Sequence, residues 1–438
     1  MSQPLTEHAH ATPNPATWHA WLAQRIFGMP LPIFVVALAI MVAAIATESL
    51  PSGIIGALLV MMLLGELLGF IGDRLPIIKT YLGGGAILAI FGAASLVYVG
   101  WLPGPVVENV TEFMKSGGFL NFYIAALITG SILGMDSRVL VKVGSRYALP
   151  LCCAVLGASL CAMAVGALLG FSIQDAVVVI TLPILGGGMG AGAVPLSQIY
   201  EQLLGQPASH YISILVPALA LGNVFAIIIG GLLNGLGKRF PSLTGDGQMM
   251  PGVEVEEQQS APEIGKLGVG LVAALTLFTA GQLLGLIIPL HPYALMIVLV
   301  ALLKILDVVP ASVNDSAAQW FQFVARNWTF ALLFGIGIAY TDLGQVIDAI
   351  SLTYVLIVLA VVGGAAFGAG LVGKLVGFYP IESAITAGLC MANMGGTGDV
   401  AVLSAARRMS LMPFAQISSR LGGALILLIS SIAVPLIV

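Results

Sequence analysis

What this sequence has least of is charge. Asp, Glu, Lys and Arg make up 8% of its 438 residues, where a soluble globular chain carries roughly 25%. So few charges cannot cover the surface of a soluble fold of this length. With 59% hydrophobic residues and a mean hydropathy of +1.05, the chain reads as an integral membrane protein. A basic excess is also missing: 16 Lys and Arg stand against 20 Asp and Glu, which leaves nucleic-acid binding without an electrostatic footprint. Cysteine is scarce. Cys152, Cys153, Cys161 and Cys390 lie in apolar segments without metal-ligand spacing to histidine and read as small buried hydrophobes. No HExxH, Walker A or supported GxSxG pattern occurs, so an enzyme or an ATP-driven pump has no motif to stand on. The short alternating strands of an outer-membrane barrel are absent as well.

What is present is a series of apolar runs about 17–25 residues long, the length of helical spans. They cover 30–47, 53–71, 83–102, 119–135, 147–170, 211–235, 267–290, 292–309, 328–341, 352–376 and 411–438. Two further segments, 176–200 and 381–406, are apolar but rich in glycine and short polar residues. Treating both as re-entrant, with the N-terminus inside, puts Arg25, Arg74, Lys79, Arg138, Lys142, Arg146, Lys238, Arg239, Lys266, Lys304, Arg326, Lys374, Arg407 and Arg408 in the cytoplasm. Lys115 alone faces out, and Arg420 lies within the last span. The positive-inside rule therefore favours an all-α polytopic protein of eleven transmembrane helices plus two re-entrant hairpins, its C-terminus outside. Residues 1–29, polar and without the apolar core of a signal peptide, are expected to be a disordered cytoplasmic tail, and 30–52 an extra first span.

The rest repeats. Asn121-Phe122, Ala125 and Asp136 recur 206 residues later as Asn327-Trp328, Ala331 and Asp342. Ile173-Gln174-Asp175-Ala176 recurs at 208 as Ile381-Glu382-Ser383-Ala384, and Gly187-Gly188-Met189-Gly190 recurs at 208 as Gly395-Gly396-Thr397-Gly398. Each unit holds five spans and a hairpin, residues 53–235 and 267–438, joined by a polar cytoplasmic linker at 236–266. An odd number of spans inverts the second copy, the inverted-topology repeat of secondary transporters, with sites where broken helices meet.

Both hairpin tips are glycine-rich: Leu185 to Ala193 reads LGGGMGAGA, and Met391 to Asp399 reads MANMGGTGD. Glycine lets the backbone turn and leaves N–H groups open to a ligand, and a helix starting beyond such a turn presents its positive end to a carboxylate. Close helix packing is the plainer explanation of any one such segment; two in corresponding repeat positions argue for a site. Asn393, Thr397, Asp399, Ser418 and Ser419 add the hard oxygens a sodium ion requires, although Asp399 alone is also compatible with an interfacial hairpin residue. Arg420, ten residues into the last apolar segment, costs about 2.5–3.5 kcal/mol to insert and is a functional candidate by default, its fork matching a carboxylate. An ion pair with Asp399 is the structural alternative for it. Gly396-Thr397-Gly398-Asp399 also spells the G-x-G-D of intramembrane aspartyl proteases, a chemistry that needs a second aspartate, and no other lies mid-span.

The segments 186–200 (GGGMGAGAVPLSQIY), 378–409 (FYPIESAITAGLCMANMGGTGDVAVLSAARRM) and 415–423 (AQISSRLGG) resemble the 2-hydroxycarboxylate transporter family, the sodium-coupled citrate and malate carriers of bacteria. The resemblance implies a homodimer in the bacterial inner membrane, in contact with lipid, whose mobile domain carries one carboxylate with sodium ions as an elevator. It implies a substrate site at Gly188, Gly190, Gly396, Thr397 and Arg420. It further implies one sodium site at Ile184, Gly187, Cys390, Asn393 and Ser419, and a second at Met391, Thr397 and Asp399. Two positions depart from the family's citrate carriers, which have Asn where Met189 stands and Arg where Met394 stands. Losing a cationic clamp favours a malate-type dicarboxylate over citrate. Proton-coupled symport and malate/lactate exchange remain the alternative modes.

Overall fold

The computed structural model describes residues 24–76, 78, 84–134, 144–250, 263–288 and 292–437. It falls into two compact units, Met1–Pro51 and Ser52–Val438. In the first, the end of the stretch expected to be a disordered tail holds a two-residue antiparallel pair, β1 (Arg25–Ile26) with β2 (Met29–Pro30). Phe27 and Gly28 turn between them at φ of 52° and 74°, the two consecutive positive values of a tight hairpin. α1 (Leu31–Ala46) follows, with a proline in its first turn, where a missing N–H costs nothing.

The second unit is helical. It runs through α2 (Ile54–Gly72), α3 (Gly85–Tyr98), α4 (Gly104–Met114), α5 (Phe119–Leu133), α6 (Gly144–Leu168), α7 (Ile173–Ile184), α8 (Val194–Leu204) and α9 (Ala208–Arg239). After the linker come α10 (Ile264–Gly285), α11 (Pro292–Ile305), α12 (Ala311–Ala339), α13 (Leu343–Ala349), α14 (Leu352–Leu375), α15 (Pro380–Ser383), α16 (Gly396–Ala405) and α17 (Phe414–Leu436). Among the described residues, eight helical stretches are long and apolar enough to cross a membrane, α4 and α5 counting together as one (Gly104–Leu133), so the chain is a polytopic membrane protein.

α12 begins at Ala311, well before the apolar run at 328–341. Its first half escapes a hydropathy window because polar groups pair there. Lys266 Nζ donates to Asp315 Oδ2 and to Glu263 Oε1, each at 2.7 Å, and Gln319 Oε1 accepts the Glu263 N–H at 2.7 Å. Trp320 is buried beside them.

The helices of this unit form two groups. α2, α3, α4, α5 and α10 pack around α12; α6, α9 and the first arm of each hairpin pack around α14. Apolar side chains gain little by leaving lipid for protein, so close backbone approach holds such groups together. Glycine supplies it: a Cβ on Gly364 of α14 would stand 2.5 Å from the Gly157 carbonyl of α6, and one on Gly270 of α10 would overlap the Ser316 carbonyl of α12.

Within the stretch expected as linker, α9 continues to Arg239 and residues 244–249 dock on the second hairpin. Glu382, fully buried at the foot of that hairpin, accepts from Thr244 Oγ1 at 2.6 Å, Gly245 N at 3.0 Å and Gly247 N at 3.3 Å. Arg408 Nε meets the same carboxylate at 2.9 Å, and its other nitrogens reach Asn234 Oδ1 and Thr244 Oγ1, both at 2.9 Å. Arg408, counted in the sequence among cytoplasmic cations, is thus a buried tie.

Candidate functional site

The two glycine-rich segments are broken helices whose tips meet. In the first, α7 descends from Ser172, whose hydroxyl accepts the Asp175 N–H as an N-cap, and widens to a π-helix over Ala176–Thr181. Gly187 and Gly188 turn at φ of 80° and 112°, and a π-helical turn, Met189–Ala193, leads into α8. In the second, α15 widens over Ala384–Leu389, 208 residues after the first π segment, then breaks at Cys390–Gly395 before α16. A fourth π segment, Ser418–Gly422, interrupts α17. Such insertions recur at functional sites because they misalign the helical ladder and free carbonyls.

Glycine is required where these three breaks converge. A Cβ on Gly187 would overlap the Ser419 carbonyl, and one on Gly188 would stand 2.9 Å from the Met394 carbonyl. Both residues also hold φ values that side chains rarely adopt.

Behind the tips is an oxygen cluster. Ser419 Oγ lies 2.9 and 2.8 Å from the two Asp399 carboxylate oxygens and 3.1 Å from both the Cys390 and Ala415 carbonyls. One hydroxyl proton cannot serve four acceptors, so lone pairs are in excess, the donor set a hard cation completes. Asn393 Nδ2 donates to Asp399 Oδ1 at 2.9 Å, while its Oδ1 accepts the Gly395 N–H at 2.8 Å and so fixes the tip. Asp399 and Asn393 are fully buried. Cys390, Asn393, Ser419 and Gly187 of the first expected sodium set therefore lie together, and Asp399, expected in the second set, joins them. Ile184 is buried against Gly222 of α9, and Met391 against Gly422. The side-chain surroundings of Gly190, Gly396 and Thr397 lie outside the described residues.

In front of the tips, between the two helix groups, is a cavity of about 470 Å³ lined by Gly187, Gly188, Met189, Met394, Gly395, Asp399, Ser419 and Arg420. Arg420 Nη2 donates to Gln416 Oε1 at 2.7 Å, and its guanidinium carbon lies 5.4 Å from the Phe321 ring centroid on α12. Ion pairs among the described residues join Lys266 to Glu263 and Asp315, and Arg408 to Glu382; Arg420 and Asp399 line the same cavity. Met189 and Met394 are buried at 4% and 7% exposure and offer no strong polar group.

Sequence reasoning missed several participants. Asn223 of α9, fully buried, accepts the Met394 N–H at 3.3 Å and holds the second tip from behind. Its signal was a lone amide in an apolar run. Tyr147 bonds Ser418 at 2.6 Å and fastens the start of the π turn in α17. Gln416, Phe321 and Arg326 line the cavity, and nothing in their spacing marks them.

A polytopic helical bundle with two broken helices meeting tip to tip over a charged cavity is the build of a secondary transporter. The 2-hydroxycarboxylate transporter family profile matches residues 26–432, and the chain belongs to that family. It is therefore a transporter and not an enzyme. It is 38% identical over 425 residues to the citrate/sodium symporter of Salmonella typhimurium, covering 94% of this chain and 95% of that protein. It is 40% identical over 403 residues to the Na(+)-malate symporter of Bacillus subtilis, covering 90% and 89%. With citrate transporter CitP of Lactococcus lactis it shares 37% identity over 418 residues, covering 94% and 93%.

Proposed function

We propose that this protein is a Na⁺-coupled symporter of a 2-hydroxycarboxylate in the bacterial inner membrane, and that it favours a malate-type dicarboxylate over citrate. The observation that carries the reading is the pairing of an oxygen cluster rich in acceptors, around Ser419 and Asp399, with an arginine-lined cavity on the other side of the same glycine tips. Sodium filling the cluster orders both tips, and the tips together with Arg420 then hold a carboxylate; Gly188, Gly190, Gly396 and Thr397 supply the backbone and hydroxyl contacts. The names of the Salmonella and Bacillus relatives support sodium as the coupling ion. Met394 and Met189, where citrate carriers of the family have Arg and Asn, support the smaller anion.

The fold reading is eleven spans plus two re-entrant hairpins in two inverted repeats, N-terminus inside and C-terminus outside. The helix group containing both hairpins slides against the group around α12 as an elevator, in a homodimer embedded in lipid. π segments at matching positions in the two hairpins support the repeat.

The test is uptake of radiolabelled L-malate into proteoliposomes, with an inward Na⁺ gradient and with K⁺ in its place, and with unlabelled citrate as competitor. Sodium-dependent accumulation that citrate barely inhibits is expected. Accumulation without sodium would replace the coupling with protons or exchange. Strong citrate inhibition would refute the reading of Met394. Arg420→Lys, which loses the bidentate fork, is expected to cripple binding; unaltered transport would overturn the site.

A further inference from the structure

We infer that Arg326, on the α12 side of the cavity, takes the second carboxylate of a dicarboxylate whose first carboxylate is held by Arg420. The inference rests on the proposed substrate site. Four acidic or basic side chains line the cavity: Asp73, Arg326, Asp399 and Arg420. Both acids are engaged elsewhere. Asp73 Oδ1 accepts the Gly85 N–H at 2.6 Å at the start of α3, and Asp399 belongs to the Ser419 cluster. Arg420 lies against Gln416 and Phe321. Arg326 is exposed on the cavity lining and takes part in no ion pair among the described residues.

The hairpin tips give the far end of a dicarboxylate nothing comparable, because Met189 and Met394 occupy the cavity side. A second carboxylate brought into a partly desolvated cleft needs a donor or remains in water. Arg326 is the second cation the cavity supplies, and its fork suits a carboxylate.

The placement makes this contact specific to one conformation. Arg420 sits on α17 with the hairpins, and Arg326 sits on α12 in the other helix group. If the groups slide past each other, a substrate carried by Arg420 leaves Arg326 behind. The cavity lining reaches the ends of α2 and α3 at Asp73 and Gly85, so Arg326 strengthens binding only at the face bearing Asp73. It separates dicarboxylates from monocarboxylates there, and not at the opposite face.

The test compares L-malate with its monoamide, in which the carboxylate remote from the hydroxyl is replaced by a neutral amide of the same shape. Half-saturation is measured from each side of sealed proteoliposomes with the full-length protein in known orientation, at saturating Na⁺. In the unaltered protein, malate is expected to bind about tenfold better than the monoamide at the Asp73 face, the scale of one charge-assisted hydrogen bond in a wet site. Discrimination at the other face is expected to be smaller. Arg326→Gln should abolish the difference at the Asp73 face by weakening malate alone, and Arg326→Lys should restore most of it. Equal binding of the two acids by the unaltered protein at that face would overturn the inference. So would equal weakening of both acids by Arg326→Gln, or the same loss at both faces. Arg420→Lys separates this from failure of the site itself, since it should weaken both acids at both faces.

Discussion

Breaking the buried tie between Glu382 and Arg408 is expected to destabilise this protein more than any surface charge change. Glu382 is fully buried, and the Arg408 side chain is 2% exposed. The carboxylate takes four donors, from Arg408, Thr244, Gly245 and Gly247. Glu382→Ala strips the partner from a guanidinium that water cannot reach, a change that costs about 3–5 kcal/mol. Glu382→Gln keeps the shape and one acceptor but loses the charge and the acceptor for Gly245 N, for a loss of roughly 1.5–3 kcal/mol. The double change Glu382→Leu with Arg408→Met removes both ions, so its cost should fall below that of Glu382→Ala. The assay is thermal unfolding in detergent, followed by intrinsic tryptophan fluorescence, with the exposed Asp348→Ala as control. The expected order of melting temperature is control, Gln variant, double variant, Ala variant, the last being lowest. Limited proteolysis should show cleavage appearing within 244–249 in the Ala variant, because the same carboxylate holds that strand of linker. An Ala variant that melts with the control, or a double variant that melts below the Ala variant, would refute the reasoning.

Three other outcomes are expected. Asp399→Asn removes the charge but keeps an oxygen in the Ser419 cluster, so the sodium concentration for half-maximal malate uptake should rise at least about tenfold, with the malate constant at saturating sodium changing less; an unaltered sodium response would remove Asp399 from the ion site. Gly187→Ala puts a Cβ into the Ser419 carbonyl at a φ of 80°, so transport should be lost in protein that still inserts and purifies; normal uptake would show that the tip has room to shift. Met394→Arg restores a cation beside the cavity and should improve citrate inhibition of malate uptake by about tenfold, the scale of one charged hydrogen bond; unchanged inhibition would place the specificity elsewhere.

What the sequence disclosed follows from what is local in it. Glycine runs and short polar residues at 176–200 and 381–406 reported broken helices, since a turn at membrane depth needs residues without a Cβ whatever surrounds them. The structure breaks the chain at 185–188 and 390–395 within those stretches. Arg420 was equally plain, because its cost in an apolar run is a property of the residue. Partners were not legible. Asn223 is 171 residues from the Met394 amide it accepts, and Thr244 is 138 from Glu382; no periodicity along the chain encodes either pairing. Arg407 and Arg408 look alike in sequence, yet Arg408 is buried and Arg407 is exposed at a φ of 55°. The start of α12 was missed for the same reason, its polar residues being paid for by Lys266 and Glu263 on another helix.

If the Ser419 cluster holds the sodium ion, the position of Asp399 makes ion and substrate act together. Its carboxylate lies on the Ser419 hydroxyl, the Ser419 carbonyl faces Gly187, and the next residue is Arg420. A cation drawn into the cluster pulls on Asp399, Cys390 and Asn393 of the second hairpin and on the π turn of α17. Through Asn393 it stiffens Gly395, whose notional Cβ would stand 3.0 Å from the Gly187 carbonyl of the first tip. On the hairpin side, Gly188 and Arg420, which would touch the anion, are each next in sequence to Gly187 and Ser419, which would touch the ion. Without the ion, the acceptors around Ser419 repel one another, and the tips lack the order a carboxylate needs. An uncoupled variant should then arise less readily at Arg420 than at Asn393, where Ala would spare Ser419, Asp399 and Arg420 and cut the hydrogen-bonded link from Asp399 to the Gly395 tip.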